Sequence, residues 1–554
     1  MSKMSKNVKR TRKADTDRAV QNFMGDISYE PDKLEMLKMV SASSIFGEPQ
    51  YYRDGEFCEK TVLKDDRLFI SCEFAKYVIA GLDKYNGMKS SELMEKLIDD
   101  ALSYDFQGVL DWAVTLRTEY LMRLNPQVIM VRAAMHLKRQ IYSRKNPGGF
   151  HEANMKVMQR ADDAVSQITY YIYKNGGKGN IPSILKRSWS KKISSLTRYE
   201  VGKYKNKGLG LINAVRLCHA NSPILDELMT TGTVKVGDDE KTWESLRASG
   251  MPWDEILHSI RMPHMALLRN LRGILKEVDD IKTVDEVLDK LKEGVKGGKQ
   301  FPFRYLSAHK AVCSANKETF NPGYTSRAKD ALEDCMDIAC DNLPRLSGNN
   351  VFLSDNSGSA WGAATSEYGT VTVAEIDNLS SVIGAANSDV GTVVKFGDDI
   401  KKFEISKRDG ILNQAKEISS SKHHVGQATE GGIWKFFWEA ISDKIVYDNI
   451  VIFSDMQCGD GTLYGTDSDM AQYTKAGYVI NDRFIDVAKL ISSYRDKVNR
   501  KVNVFCVQTA GYSNSVAVNG YRTSILYGWT GKELVYMDAM NKFWDSYDEK
   551  RQAT

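Results

Sequence analysis

Apolar residues in roughly the first 340 positions recur at the spacing of helices that bury one face. In "SSELMEKLIDDALSYDFQGVL" (90–110), Leu93, Leu97, Ile98 and Leu102 fall on one side of a helix, and the serine pair in front can cap it. Strand-like alternation is scarce in this part, and no repeat of fixed length is visible. Helix after helix across short polar joints predicts an α-solenoid built of paired helices.

The pattern changes at "NLPRLSGNN" (342–350), whose Pro, Gly and Asn residues mark a boundary. Beyond it, short apolar runs such as "NVFLSD", "VGTVVKF", "DNIVIFSD", "VNVFCVQ" and "TSILYGW" alternate with helical segments. This alternation predicts a parallel sheet covered by helices on both faces. The predicted fold class is therefore multidomain, an all-α region followed by an α/β domain.

The length of 554 residues agrees with this division, because it is too great for a single core. We expect a basic disordered tail over 1–20, the helical region over 21–345 and the α/β domain over 346–554. The sequence contains no apolar run of about 18 residues, so we predict no membrane span. The basic N-terminus is not followed by the apolar segment of a secretory signal. The eight cysteines form no CxxC pair, so we expect reduced thiols in a cytoplasmic protein.

Two acidic residues directly follow two of the predicted strands. Asp355 ends "NVFLSD" and Asp455 ends "DNIVIFSD", while Ser357 and Ser359 follow the first acid at alternate positions. Between them, Thr429 precedes a Gly pair and a helix. Because ligands bind beyond the carboxyl ends of parallel strands, these side chains can meet at one edge of the sheet. An oxygen-only set with two carboxylates suits Mg²⁺ or another divalent cation, whereas the absence of Cys and His argues against zinc.

The segment "DNSGS" also has a simpler interpretation, a turn followed by a helix N-cap, because Asp and Ser favour both. The positions of Thr429 and Asp455 favour the metal site over this alternative. No general base or nucleophile accompanies the cluster, so a docking site is favoured over a catalytic centre.

Positive charge is concentrated between residues 186 and 207, although the net charge of the whole chain is only +4. Eight of these residues are Lys or Arg, and the single acid is Glu200. Lysines can reach phosphates, and Tyr199 and Tyr204 among them can stack unpaired bases. The alternative is a solvated lysine face whose tyrosines lie half in the core. The candidate RNA-binding residues in and after this segment are Lys203, Lys205, Lys207, Arg198, Arg216 and His219.

Several of these stretches resemble one known family. "RYEVGKYKNKG…LINAVRLCHANSP" is similar to the "KYKxR…LLRLSHxKP" segment of the TROVE domain in Ro autoantigen proteins. Further similar stretches are "LRTEYLMRLNPQVIMVRAA" (116–134), "MPHMALLRNLRGI" (262–274) and "PFRYLSAHKA" (302–311). The five predicted metal ligands resemble the metal-ion-dependent adhesion site (MIDAS) of von Willebrand factor A domains. A TROVE domain followed by an A domain is the architecture of Ro proteins and their bacterial orthologues.

The resemblance implies a ring of HEAT-like helical repeats closed by a Rossmann-like A domain. It implies that the central hole takes the single-stranded 3′ end of misfolded RNA, while a small structured Y RNA binds the outer basic surface and gates access. Lys203 and Lys207 fall where the family has basic RNA contacts, although position 207 is Lys where the family has Arg. His219 falls at an RNA-binding histidine, whereas by itself a lone His on an apolar helix indicates a core residue.

The resemblance also makes Arg269 and Arg272, with His264 before them, candidates for the inner rim of the ring. The two arginines lie three residues apart and so share a helix face, with capping or pairing to glutamates as the alternative. Weaker candidates for the same rim are Arg117, Arg123 and Arg132.

Three functions follow from these features. The first is a monomeric RNA-binding protein of non-coding RNA quality control that does no catalysis, has no membrane partner and, as bacterial members imply, recruits an exoribonuclease through the Y RNA. The second is a scaffold whose metal site docks an acidic protein partner, with incidental RNA binding. The third, a Mg²⁺-dependent nuclease, is least favoured because such enzymes commonly hold two metals with several carboxylates, and only two acids converge here.

Overall fold

A computed structural model describes a large part of the chain. The described residues are 19–21, 27–29, 32–43, 90–206, 209–234, 242–298, 302–313, 322–362, 371–406, 408–426, 430–455, 475, 479–480, 484–485, 487–509, 521–527 and 531–552. Most of the predicted N-terminal tail, together with Lys207 and Thr429, therefore lies outside the described residues.

The first part of the chain is helical after one short antiparallel strand pair, β1 (Ala19–Gln21) and β2 (Ile27–Tyr29). The helices are α1 (Lys33–Ser43), α2 (Ser90–Tyr104), α3 (Phe106–Thr118), α4 (Leu124–Met135), α5 (Arg139–Lys145), α6 (Gly149–Val157), α7 (Asp163–Asn175), α8 (Ser183–Ser194), α9 (Arg198–Tyr204), α10 (Leu211–Cys218), α11 (Pro223–Thr231), α12 (Trp243–Ala248), α13 (Trp253–Ser259), α14 (His264–Glu277), α15 (Ile281–Gly298), α16 (Phe303–Cys313) and α17 (Pro322–Cys340). Apart from this strand pair, the described residues of the predicted all-α region are helical, as predicted.

Each helix packs mainly against helices near it in sequence, as in a solenoid. Helix α3 packs against α4 and α6, α14 packs against α15, and α17 packs against α15 and α16. In α15 the buried residues Val284, Val287, Leu288, Leu291 and Val295 recur every three to four positions. That spacing produces one apolar stripe per helix, which is what a stack of paired helices needs.

The second part of the chain is an α/β domain that begins with β3. Its elements are β3 (Leu346–Asp355), α18 (Gly358–Gly362), α19 (Val373–Ala386), β4 (Ser388–Phe396), β5 (Ile400–Glu404), α20 (Ile411–Ser419), α21 (Glu430–Ser442), β6 (Asn449–Ser454), β7 (Val479–Ile480), β8 (Phe484–Ile485), α22 (Val487–Lys497), β9 (Asn503–Gln508), β10 (Thr523–Tyr527) and α23 (Glu533–Gln552). The main sheet has the order β10-β9-β6-β3-β4-β5. Its first five strands are parallel and β5 is an antiparallel edge strand.

Both faces of this sheet are buried, as the continuous apolar runs predict. Val351 and Leu353 of β3 point to one face, where Phe436 and Phe437 of α21 join the same core. Phe352 points to the other face and packs in a core that α19 and the helical region share. The apolar interior therefore continues from the helices into the α/β domain.

The helical region contacts the α/β domain at both of its ends. Helix α1 packs against α2 and α3, and it also packs against β10 and α23. At the other end, α17 packs against α20. Lys310 of α16 also forms an ion pair with Glu375 of α19, with 2.7 Å between Nζ and Oε1. The chain thus closes on itself, as the predicted ring requires. None of the described helices combines the length and the apolar character needed to cross a membrane.

Candidate metal centre and nucleic-acid interface

The chain reverses its direction of winding between β3 and β6. From β3 it proceeds to β4 on one side, and later returns to β6 on the other side of β3. The carboxyl ends of two neighbouring parallel strands flank a crevice at such a point, and α/β sheets bind ligands there. Asp355 is the last residue of β3, and Asp455 follows β6 directly.

Asp355 and Asp455 are both completely buried and interact electrostatically. Asp355 Oδ1 accepts a hydrogen bond of 2.8 Å from the Ser357 backbone N–H, and Oδ2 accepts one from the Ser454 hydroxyl. Burial, and next the neighbouring Asp455 charge, raises the pKa of Asp355. The two carboxylates therefore repel each other in a place that water cannot screen.

The two serines of the motif lie beside this acid pair. Ser357 is buried and Ser359 is exposed, and their Oγ atoms are 3.2 Å apart. The structure thus brings together four of the five predicted ligands, and the fifth, Thr429, lies outside the described residues.

A buried amide pair holds the loop after β3 in place. Asn356 and Asn378 of α19 exchange two side-chain hydrogen bonds, of 2.8 and 3.0 Å. The Ser354 hydroxyl also donates to Asn378 Oδ1, at 2.7 Å. These bonds fix the direction in which Asp355 and Ser357 leave the strand. The position of Asn356 is evident from the sequence motif, because it directly follows Asp355. Its hydrogen-bond partner Asn378 could not be predicted from the sequence.

A third acid near the site was not predicted. Asp377 of α19 is completely buried, and the charges of Asp355 and Asp455 both act on it. The signal in the sequence is an Asp-Asn pair inside "VAEIDNLSSVIGAA", a helix whose other residues are mostly apolar. The spacing of apolar residues in the sequence could not show that Asp377 and Asn378 face the edge of the sheet.

The described side chains fit a divalent cation. Buried carboxylates with like charges are stabilised by a positive ion, and every nearby donor is an oxygen. Within the described ranges, no group of three or more His, Cys, Asp or Glu side chains is arranged to hold a metal ion. The arrangement therefore matches a centre of two acids completed by hydroxyls, rather than a cage of carboxylates.

The predicted basic residues lie on and around α9. A reciprocal capping box between Thr197 and Glu200 starts this helix, so the only acid of the basic segment is used to stabilise the helix terminus. Lys203 Nζ lies 5.5 Å from the centre of the Tyr199 ring and 5.9 Å from that of Tyr204. The lysine and its two tyrosines thus form one half-buried cluster.

Three other candidates lie near this cluster. Lys205 is half-buried just after α9, and its carbonyl oxygen accepts a hydrogen bond of 2.8 Å from the Leu211 N–H, which ties α9 to α10. Arg198 Nη1 is 2.6 Å from Glu227 Oε2, so this pair fixes the direction of the guanidinium. Lys207 lies outside the described residues.

Helix α10 ends at Cys218 and is capped by His219, whose side chain is exposed. The residue has a left-handed backbone with φ of 56°, and its carbonyl accepts a hydrogen bond of 3.3 Å from the Ser190 hydroxyl of α8. Arg216, three residues earlier, is exposed as well. Lys191 on α8 is exposed beside Ser190. The structure therefore places His219 at the surface next to basic side chains, and not in the core.

The three predicted rim residues do not share one exposed face. Arg269 and Arg272 of α14 are exposed. His264 is half-buried, and its Nε2 lies 2.8 Å from the Tyr305 hydroxyl of α16. Its ring also packs closely against Gly294 of α15. His264 thus joins three helices, and burial lowers its pKa, which favours the neutral ring.

The three weaker arginine candidates all pair with acids in the helical region. Arg117 is buried and its Nη2 is 2.8 Å from Asp163 Oδ2. Arg123 pairs with Asp162, and Arg132 with Asp99. Because each guanidinium already has an acidic partner, these residues stabilise the packing of the helices.

Comparisons with known proteins agree with this architecture. Residues 235–342 match the TROVE domain. A stretch of 78 residues is 36% identical to telomerase protein component 1 of Mus musculus, and it makes up 13% of this chain and 3% of that relative. The chain thus spans a very small share of the length of this relative. The crystal structure of the Ro (RSR) protein of Deinococcus radiodurans matches with a TM-score of 0.56 at 15% identity, over 81% of this chain and 93% of that one.

The fold and the domain match define a class of protein, in which a closed series of helices is joined to an α/β domain. Residues 235–342 match the TROVE domain, and the chain as a whole has the fold of the Ro protein structure. The family resemblance in the sequence is confirmed.

Proposed function

We propose that this chain is a Ro-type RNA-binding protein whose basic surface on α8, α9 and α10 binds a small structured RNA. The exposed side chains of Lys191, Arg216 and His219 on the packed helices α8 and α10, together with Lys203 on the connecting helix α9, are the observation that carries this proposal. Such a surface neutralises phosphates and releases counterions, so affinity falls steeply as salt increases. The tyrosines at Lys203 add stacking platforms for unpaired bases.

The finer part of the proposal follows the family. A Y-like RNA binds the outer surface, and the single-stranded 3′ end of a misfolded RNA enters the ring. Arg269 and Arg272 are exposed and can contact that end. The protein works in the cytoplasm as a monomer, binds without catalysis, and recruits an exoribonuclease through the tethered RNA.

The metal centre serves docking in this proposal. Asp355, Ser357 and Asp455 would hold Mg²⁺, and Ser359 and Thr429 would complete the set of oxygen ligands. When bound, the cation supplies a position that a carboxylate of a partner protein can complete. Ser454 and Asn356 orient the Asp355 carboxylate and the loop that carries the serines.

Binding to an RNA with a single-stranded 3′ overhang, measured at rising salt, tests the RNA proposal. We expect the affinity to fall by orders of magnitude between about 50 and 200 mM salt. An affinity that does not change with salt contradicts it.

The second candidate function is a metal-dependent protein scaffold, which the buried acid pair favours. A pull-down of an exoribonuclease partner, with either RNase or EDTA added, distinguishes the two functions. A partner lost with RNase supports tethering through RNA. A partner that survives RNase but is lost with EDTA supports the scaffold instead.

A further inference from the structure

Asp377 is a buried acid that the proposed metal ligands leave unexplained. It lies in the second turn of α19, is completely buried, and neither of its carboxylate oxygens has a hydrogen-bond partner. Burial, and next the Asp355 charge, raises its pKa well above the ordinary value, with a smaller contribution from Asp455. A buried carboxylate without partners is costly, so native proteins keep few of them without a reason.

Two buried hydroxyls near Asp377 share this lack of partners. Ser381 is one helical turn further along α19, and Thr509 follows β9 directly. Neither hydroxyl oxygen has a hydrogen-bond partner. The Thr509 hydroxyl lies close enough to Asp377 to lower its pKa, without meeting hydrogen-bond geometry. Because β9, β6 and β3 are neighbouring strands, Thr509, Asp455 and Asp355 mark three adjacent strand ends.

These groups point to bound water. Polar atoms that are buried without protein partners are usually satisfied by ordered water molecules. Within the described residues, no basic side chain donates a hydrogen bond to either carboxylate oxygen of Asp377. The described acids also do not form a cluster of three that could hold one ion directly. Mg²⁺ dehydrates reluctantly and keeps several waters in its protein sites, and carboxylates commonly accept hydrogen bonds from such ligands.

We propose that Asp377 is a positioning residue of the metal centre, accepting hydrogen bonds from water molecules that the cation at Asp355 and Asp455 carries. The proposal rests on the proposed metal site and adds a third buried carboxyl group that acts through water. The centre then favours a small cation that retains its waters, and the Ser381 and Thr509 hydroxyls complete the same water cluster.

Cation binding to the full chain tests this role. Mg²⁺ affinity is measured by calorimetry for the wild type, for Asp377→Asn and for Asp443→Asn, an exposed acid of the same domain. We expect Asp377→Asn to weaken binding about tenfold or more, as loss of an acceptor next to a metal ligand does elsewhere, and Asp443→Asn to change nothing. Equal affinity for wild type and Asp377→Asn overturns the proposal and leaves Asp377 as a neutral structural group.

Counting the bound waters separates a positioning role from direct ligation. The luminescence lifetime of Eu³⁺ in H₂O and D₂O gives the number of waters on the ion. We expect the same number in wild type and Asp377→Asn, because the lost contact is to a water and not to the ion. One additional water in the variant shows a direct ligand and overturns the proposal.

Two further measurements keep the test decisive. Circular dichroism verifies that Asp377→Asn is folded. If it is not, Thr509→Val replaces it, since this change keeps the shape and removes one hydroxyl of the water cluster. We expect Thr509→Val to weaken Mg²⁺ binding several-fold, and unchanged affinity contradicts the proposal. Wild-type protein that binds neither ion overturns the metal site itself, an outcome distinct from a failure of Asp377 alone.

Discussion

The basic surface around α9 and the acidic centre at the ends of β3 and β6 present their charges in opposite ways. Lys191, Arg216 and His219 are exposed, and water and salt screen them. Asp355 and Asp455 are completely buried, so their interaction is strong and local. The first arrangement suits a long, flexible polyanion, and the second suits one small cation. The two sites should therefore respond separately to mutation, salt and chelators.

We expect the largest difference between the metal centre and the basic surface in the variant Asp355→Ala. Removing one of two carboxylates should abolish Mg²⁺ binding, because the remaining acid cannot hold the ion alone. RNA affinity should stay within about twofold, since a buried side chain does not contribute to the exposed phosphate-binding surface. Calorimetry and RNA binding on the same samples measure both. A loss of RNA affinity in this variant, with Asp443→Ala unaffected, would show that the two sites are coupled.

A buried arginine and a partly exposed arginine make a second comparison. Arg117→Ala should lower the free energy of unfolding by about 3–5 kcal/mol, because it leaves Asp163 buried without its partner. Arg198→Ala should cost less than about 1 kcal/mol, since its pair with Glu227 is partly exposed. Denaturant unfolding measures both values. RNA affinity should fall for Arg198→Ala and stay unchanged for Arg117→Ala. If it falls only for Arg117→Ala, Arg117 contacts RNA at the inner rim of the ring.

The contact between the helical region and the α/β domain should depend on pH. Glu333 of α17 accepts a hydrogen bond of 2.7 Å from the Leu412 N–H at the start of α20, and burial raises its pKa from 4.5 to about 7. Because the folded-state pKa is raised, the stabilisation is complete below about pH 4.5 and is lost as pH rises through about 7. The loss amounts to about 3 kcal/mol at most.

Unfolding of the wild type and of Glu333→Gln across this pH range measures the effect. The variant should show a smaller loss of stability, because its side chain has no charge to bury. Asp330→Asn, an exposed acid of the same helix, should behave as the wild type does. An unchanged pH profile in Glu333→Gln would exclude Glu333 as the titrating group.

The smallest effect is expected at the basic surface. Lys203→Ala combined with Lys207→Ala should weaken RNA binding about tenfold and lower the salt dependence by about two released counterions. Lys422→Ala combined with Lys501→Ala removes the same charge from exposed positions of the α/β domain and should change little. Equal losses in the two double variants would mean that net charge, and not the α9 surface, determines binding.

Much of the fold could be predicted because each region carries one simple pattern. Strands β3, β4, β6, β9 and β10 are apolar runs since helices cover both of their faces. Strand β5, "IKKFE", was not predicted, because it is an antiparallel edge strand with exposed lysines.

The candidate sites were predictable to different degrees. The proximity of Asp355 and Asp455 could be predicted, because each follows a strand of a parallel sheet and the carboxyl ends of such strands lie at the same edge. Asp377 could not be found in this way, because its position depends on how α19 is rotated against the sheet. For the same reason the sequence could not place His264 against Tyr305, as this contact joins helices α14 and α16.

The position of α1 has a consequence for the solubility of the protein. A strand at the edge of a sheet has unpaired backbone groups that can pair with another copy of the chain. Helix α1 packs against β10 at one edge, and at the other edge β5 carries the exposed side chains of Lys401 and Lys402. The sheet is thus protected from edge-to-edge aggregation by a helix on one side and by charge on the other. A fragment that begins after Ser43 would keep the second protection and lose the first.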